Sequence, residues 1–184
     1  FVALAEAAPD ELSAIVMVMP APPLPFLPPQ LHGQTVFMAT MAYAGPAAEA
    51  EIALRPFRAL ATPLADLVGP VPLSALFLPE DPNMRPAVSI RTQFVDAVDL
   101  TMARRLLAEL DKGEAPMRML QIRVLGGAMA RVADDATAFA HRKAKVLLAF
   151  LALFGDPAET PRHDAWVEAA HKATQQGEDR AYVN

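Results

Sequence analysis

One apolar stretch, LSAIVMVMPAPPLPFLPP, runs from Leu12 to Pro29 and carries prolines at 20, 22, 23, 25, 28 and 29. A proline inside a helix removes a hydrogen bond and clashes with the carbonyl four residues back. No helix can therefore run through this stretch, and a membrane-spanning one is excluded with it. An extended solution remains. LSAIVMVMPA is short and apolar on both alternating faces, which predicts a strand. APPLPFLPPQLHGQ predicts an extended, polyproline-like loop. TVFMATMAYAG (residues 35–45) predicts a second strand that pairs with the first across that loop.

PAAEAEIALRPFRALA follows with Pro46 and Glu49 at its start, which predicts a helix with Ile52, Phe57 and Leu60 facing inward. Pro56 is expected to kink it or split it in two. AVSIRTQFVD (residues 87–96) alternates Val88, Ile90, Thr92 and Phe94 against Ser89, Arg91, Gln93 and Val95, a strand with one wetter face. LTMARRLLAELDKG predicts a helix with Asp99 as N-cap, a buried stripe of Leu100, Ala103, Leu107 and Leu110, and Gly113 at its end.

MRMLQIRVLGGAMARV (residues 117–132) predicts a strand interrupted by Gly126-Gly127. KAKVLLAFLALFG is apolar on both faces and short, which favours a central strand over a buried helix. ETPRHDAWVEAAHKATQQG predicts an amphipathic helix with Trp166, Ala169 and Ala173 inside and Gly177 at its end. The order β, β, α, β, α, β, β, α closes most simply as an α+β domain: an antiparallel or mixed sheet with helices on one face. The second sheet face is then left for the proline loop or for a partner to cover.

The 184 residues suit a single domain, 1–184. Sixteen basic against 21 acidic residues give a net charge of −5, and without a basic run nucleic acid is not an expected partner. No cysteine is present, so disulfides, zinc-thiolate sites and thiol catalysis are excluded. No signal peptide or membrane span is expected, and the default location is the cytoplasm, of a bacterium. A first residue that is not Met and an abrupt AYVN ending create the expectation of a piece of a longer protein.

Catalytic signatures are sparse. LGGAMA lacks the strand–GxGxxG–helix context of a dinucleotide loop. His163 and His171 stand eight apart on one helix, too far for one metal, and read as solvated. Asp134-Asp135 sits in a turn-like sequence. His141-Arg142 either contacts an anionic or polar group of a ligand or fixes a loop through backbone carbonyls. Gln121 and Arg123 share one face of their strand. With Arg91 and Gln93 they form either a pocket floor or a polar outer face.

The block GGAMARVADDATAFAHR (residues 126–142) resembles the berberine-bridge-enzyme-like flavoproteins of the vanillyl-alcohol-oxidase superfamily. Gly126, Gly127, Met129, Thr137, Phe139, His141 and Arg142 carry the match. The proline loop, the helix after it and the terminal Y-x-N resemble the same family in the same order. The resemblance implies the substrate domain of an FAD-linked oxidase, with its N-terminal FAD-binding domain absent from this chain. FAD would be held mainly by that domain, here contacted by Gly126, Gly127 and Asn184.

Substrate would meet Arg91, Gln93, Gln121, Arg123, His141 and Arg142, and hydride would pass from a substrate C–H to flavin N5. Ala128 and Ala130 stand where some members carry an acid-base residue, and they transfer no proton. Tyr182 is then the nearest candidate base. Sugars, alkaloids, phenols and polyketides are all oxidised on this scaffold. The chain alone is expected to be inert, with the FAD domain and a small molecule as partners and a homodimer through the exposed sheet face as a further possibility. The competing reading is a non-catalytic ligand-binding or dimerisation module.

Overall fold

The computed structural model describes residues 1–23, 27–72, 74, 86–124 and 146–176. Five strands form one sheet: β1 (Leu12–Pro20), β2 (Thr35–Tyr43), β3 (Ala87–Val95), β4 (Met117–Val124) and β5 (Val146–Phe154). Their spatial order is β2-β1-β4-β5-β3 and every pairing is antiparallel. Among the described residues four α-helices accompany them: α1 (Val2–Ala7), α2 (Ala47–Arg58), α3 (Leu100–Asp111) and α4 (Thr160–Thr174). The fold is α+β, as the alternating pattern of elements predicts. No helix among the described residues is long and apolar enough to cross a membrane.

The β1–β2 pair forms across the proline loop as expected, with Leu12 opposite Tyr43 and Pro20 opposite Thr35. Backbone bonds from Ala21 N to Gln34 O (2.8 Å) and Gly33 N to Ala21 O (2.9 Å) clasp the loop where it meets the hairpin. Gly33 adopts φ 78°, a left-handed conformation that glycine enters without steric cost. The residues VLLAFLALF form a strand rather than a helix and pair on both sides, with β4 and β3.

The described helices pack on one face of the sheet. Met102, Leu106 and Leu110 of α3 and Val167 and Ala170 of α4 share a buried cluster with alternate residues of the central strands, among them Val16, Leu120, Leu148 and Phe150. Leu54 and Phe57 of α2 close a second cluster over Leu12, joined by residues of α1. Neither cluster contains a residue from the other side of the sheet.

Several local expectations need correcting. α1 was not visible in the sequence pattern. α2 continues through Pro56 as one helix. Pro56 stands in its last turn, where it can donate no bond to the Ile52 carbonyl, and the helix ends two residues later. The buried side of α2 is Leu54 and Phe57, with Ile52 and Leu60 exposed. In α3 the buried stripe is Met102, Leu106 and Leu110, with Glu109 beside it, while Leu100 and Leu107 face solvent.

Asp99 caps α3 as predicted, its carboxylate accepting from Met102 N at 2.7 Å. Gly113 is needed for space rather than for a left-handed φ. A Cβ there would stand 2.8 Å from the Trp166 ring and 2.7 Å from Arg118 Cδ. In α4 the inner residues are His163, Val167, Ala170, His171 and Thr174, so Ala169 is not among them. Trp166 is partly buried against the core, and its indole N–H donates to the Glu109 carbonyl at 3.0 Å.

Candidate functional site: the open sheet face

Side chains directly opposite on paired strands share a face, so the register maps the side that the helices leave. One row across the sheet reads Met38, Met17, Gln121, Ala149 and Thr92. The neighbouring row reads Thr40, Ile15, Arg123, Leu147 and Phe94. Toward the other end Met119 meets Leu151 and Ile90, and Met117 meets Leu153 and Val88.

This face is built of methionine, leucine and isoleucine, with one cation. Val88, Ile90 and Met117 are exposed at 51%, 43% and 41%. Other members of the face are less accessible, Met19 and Ala149 being buried. Methionine adds unbranched, polarisable side chains that adapt to irregular partners.

Gln121 and Arg123 are the polar pair of β4 on this face, with Arg123 next to last in its strand. Both sit on β4, the middle strand, and Arg123 Nε donates to Gln121 Oε1 at 3.0 Å. No ion pair among the described residues involves Arg123. The strand residues of this face include no carboxylate and no imidazole.

The other two residues expected at the pocket floor lie elsewhere. Arg91 pairs with Phe150 and Gln93 with Leu148, which turns both toward the helices. The wetter set of β3 is thus its inner set: Ser89 and Gln93 are buried while Val88 and Ile90 are exposed. Inward polarity is tolerated because α4 supplies partners. Gln93 Nε2 donates to Thr174 Oγ1 at 2.7 Å, and Arg91 Nε donates to Glu168 Oε2 at 2.9 Å. The Arg91 guanidinium, with Lys172 second, holds the Glu168 carboxyl below its ordinary range. These two side chains attach α4 to the sheet.

His163 and His171 also depart from expectation, since both are buried rather than solvated. His163 lies against the Phe154 ring with centroids 4.3 Å apart, and its Nε2 is 3.8 Å from Glu159. Gly126, Gly127, His141, Arg142, Tyr182 and Asn184 lie outside the described residues. The sequence reading left one sheet face for the proline loop or a partner to cover, and the register shows which residues make up that face. Its signal is present in IVMVM, VFMATM and MRML, where alternate positions on both sides are apolar.

The described residues thus form a broad antiparallel sheet with helices on one side and, on the other, a largely apolar face that carries a single amide–guanidinium pair. Solved structures place that architecture. Berberine bridge enzyme from Eschscholzia californica superposes with a TM-score of 0.67 at 14% identity, covering 97% of this chain and 38% of that one. A berberine-bridge-enzyme-like protein from Arabidopsis thaliana gives 0.66 at 18% identity, covering 97% and 40%. A glycopeptide hexose oxidase solved with teicoplanin gives 0.64 at 16% identity, covering 92% and 35%. The chain therefore has the fold of one domain of the berberine-bridge-enzyme-like oxidases and spans roughly two fifths of their length. It matches no protein-family model. No curated protein matches it either.

Proposed function

We propose that this chain is the substrate-binding domain of an FAD-dependent oxidoreductase and that its open face roofs the flavin. One observation carries the reading. A largely apolar sheet face is met by none of the described helices, in a fold that occupies about 38% of the length of the oxidases it matches. The remaining length of such proteins is the natural cover, and it would supply the FAD-binding domain.

The described residues fit a flavin. Flat apolar area from Met17, Leu147 and their neighbours suits a ring system, and Gln121 and Arg123 offer N–H donors to ring carbonyl and nitrogen acceptors. When bound, a flavin supplies the acceptor for hydride from a substrate C–H. The chain itself would exclude water from the flavin and hold the apolar part of the substrate beside it. It offers no base on the described strands of this face. The proton acceptor would then be Tyr182, as the resemblance suggests, or a group of the covering domain.

The test is the full-length polypeptide that carries this chain. It should purify yellow, with flavin absorbance that survives desalting, while the 184-residue chain alone neither retains FAD nor turns over substrate. A colourless full-length protein that releases added FAD on desalting sinks the reading. The same apolar face favours a second reading, a module that pairs with another copy of itself. Colourless full-length protein that sediments as a dimer, broken by Ile90→Asp, would establish that instead.

A further inference from the structure

We infer that β2 is a dimerisation edge: two copies of this protein pair their β2 strands antiparallel about a two-fold axis at Ala39 and join their sheets edge to edge. The inference does not rest on the flavin reading, because edge pairing leaves both faces of each sheet free.

The backbone carries it. Opposite residues of an antiparallel pair alternate between those that exchange both backbone bonds and those that exchange none. Ala44 N bonds to Glu11 O at 3.0 Å and Ala21 N to Gln34 O at 2.8 Å, one position beyond each end of the β1–β2 ladder. Counting inward by twos, Val36, Met38, Thr40 and Ala42 bond to β1. Thr35, Phe37, Ala39, Met41 and Tyr43 then direct N–H and C=O away from it. β2 is the first strand in the sheet order, and among the described strands only β1 pairs with it. Such a row of outward donors and acceptors is a template for another strand.

Edges of this kind are normally blunted by charge, proline or a bulge. TVFMATMAY has no charged residue and no proline, and its register to β1 is unbroken from Thr35 to Tyr43. Phe37 stands 55% exposed on it. The opposite edge, β3, carries Arg91.

The strand also complements itself, as a two-fold interface requires. With the axis at Ala39, Ala39 faces its own copy, Phe37 faces Met41 and Thr35 faces Tyr43. Every outward-directed residue then meets another, so each N–H finds a carbonyl. Val36 meets Ala42 and Met38 meets Thr40 between them. A small residue falls on the axis, each Phe37 ring gains a thioether neighbour, and no like charges oppose one another. Moving the axis by one residue leaves an outward-directed end residue of each copy without a partner.

The experiment is sedimentation velocity of the full-length polypeptide over a concentration series, with cross-linking as a second readout. The parent should sediment as a dimer. Ala39→Pro removes only an outward N–H, a change that edge strands tolerate. Its circular dichroism should match the parent's while the dissociation constant rises at least about 10-fold, from the two backbone bonds lost at the axis. Ala39→Cys should form a disulfide between position 39 of the two copies on mild oxidation, since residues opposite in a bonded pair stand about 5.5 Å apart at Cα. The 184 residues hold no cysteine of their own, and peptide mapping identifies the link. Thr35→Cys should not cross-link to its own copy, which lies at the far end of the paired strands. Ile90→Asp, on the open face, should leave the dimer intact. Four results overturn the assignment: a monomer at every concentration, a dimer as tight in Ala39→Pro, position 35 linking as readily as position 39, or a dimer broken by Ile90→Asp. Flavin content is read separately. A colourless protein that links through position 39 refutes the oxidoreductase reading and leaves the edge assignment standing.

Discussion

The two faces of this sheet are made from the same strands and behave as opposites. On one, Val16, Ile122, Leu148 and Gln93 form a row beneath α3 and α4, and even the polar member is bonded, to Thr174. On the other, Met17, Gln121, Ala149 and Thr92 lie one residue away in register and meet no described helix. The difference shows that apolar composition does not identify a core. The helix face is a core because helices complete it, and the open face is not part of that core because no described helix packs on it.

Substitution at its strongest point sharpens this contrast most. Phe150 is 1% exposed and meets Trp166 edge-on with centroids 6.1 Å apart. Phe150→Ala should cost about 3–5 kcal/mol, read as a fall in the denaturant midpoint. Ile90→Thr on the open face keeps β-branching and should stay within about 0.5 kcal/mol of the parent chain. If the two changes cost the same, the open face is part of the folding core and the contrast fails.

Smaller effects probe how the helix layer is seated. Gly113→Ala would place a methyl group against Trp166 and Arg118, so thermal unfolding should show an overpacking cost of about 1–3 kcal/mol. A neutral result would mean that the indole can retreat without losing its bond to Glu109. Asp99→Ala removes the bond to Met102 N and should cost about 1 kcal/mol, whereas Asp99→Ser should recover most of it.

Much of the fold was legible because its signals are local. Prolines forbade helix between Leu12 and Pro29, alternation marked β3, and Asp99 announced α3. Facing was less legible, because it depends on what packs where. The β3 polar set looked solvent-facing until the register placed Gln93 beneath Thr174 and Arg91 beside Glu168. Those partners are 81 and 77 residues away in sequence, a distance that no local pattern reaches. His163 and His171 misled for the same reason. The Gln121–Arg123 pair was legible as two polar residues at i and i+2. That the pair lies on the face the described helices leave, on the middle strand, required the whole sheet order.

The weakest link between the layers makes the last and smallest prediction. Arg91 and Glu168 join β3 to α4 through an exposed pair, with side chains 44% and 40% accessible. Arg91 depresses the Glu168 carboxyl, so the pair stabilises the fold above the carboxyl's unfolded-state range and loses that contribution as pH falls through its lowered folded value. Arg91→Met should therefore lower Tm slightly at neutral pH, and the gap to the parent should close on acidification. Lys172, which bonds the same carboxylate at 3.2 Å, is present in both proteins and does not oppose that closure. Added salt should shrink the neutral-pH gap as well, since solvent-exposed charges are screened. A gap that widens on acidification, or that ignores salt, would show that Arg91 holds α4 by its packed stem rather than by its charge.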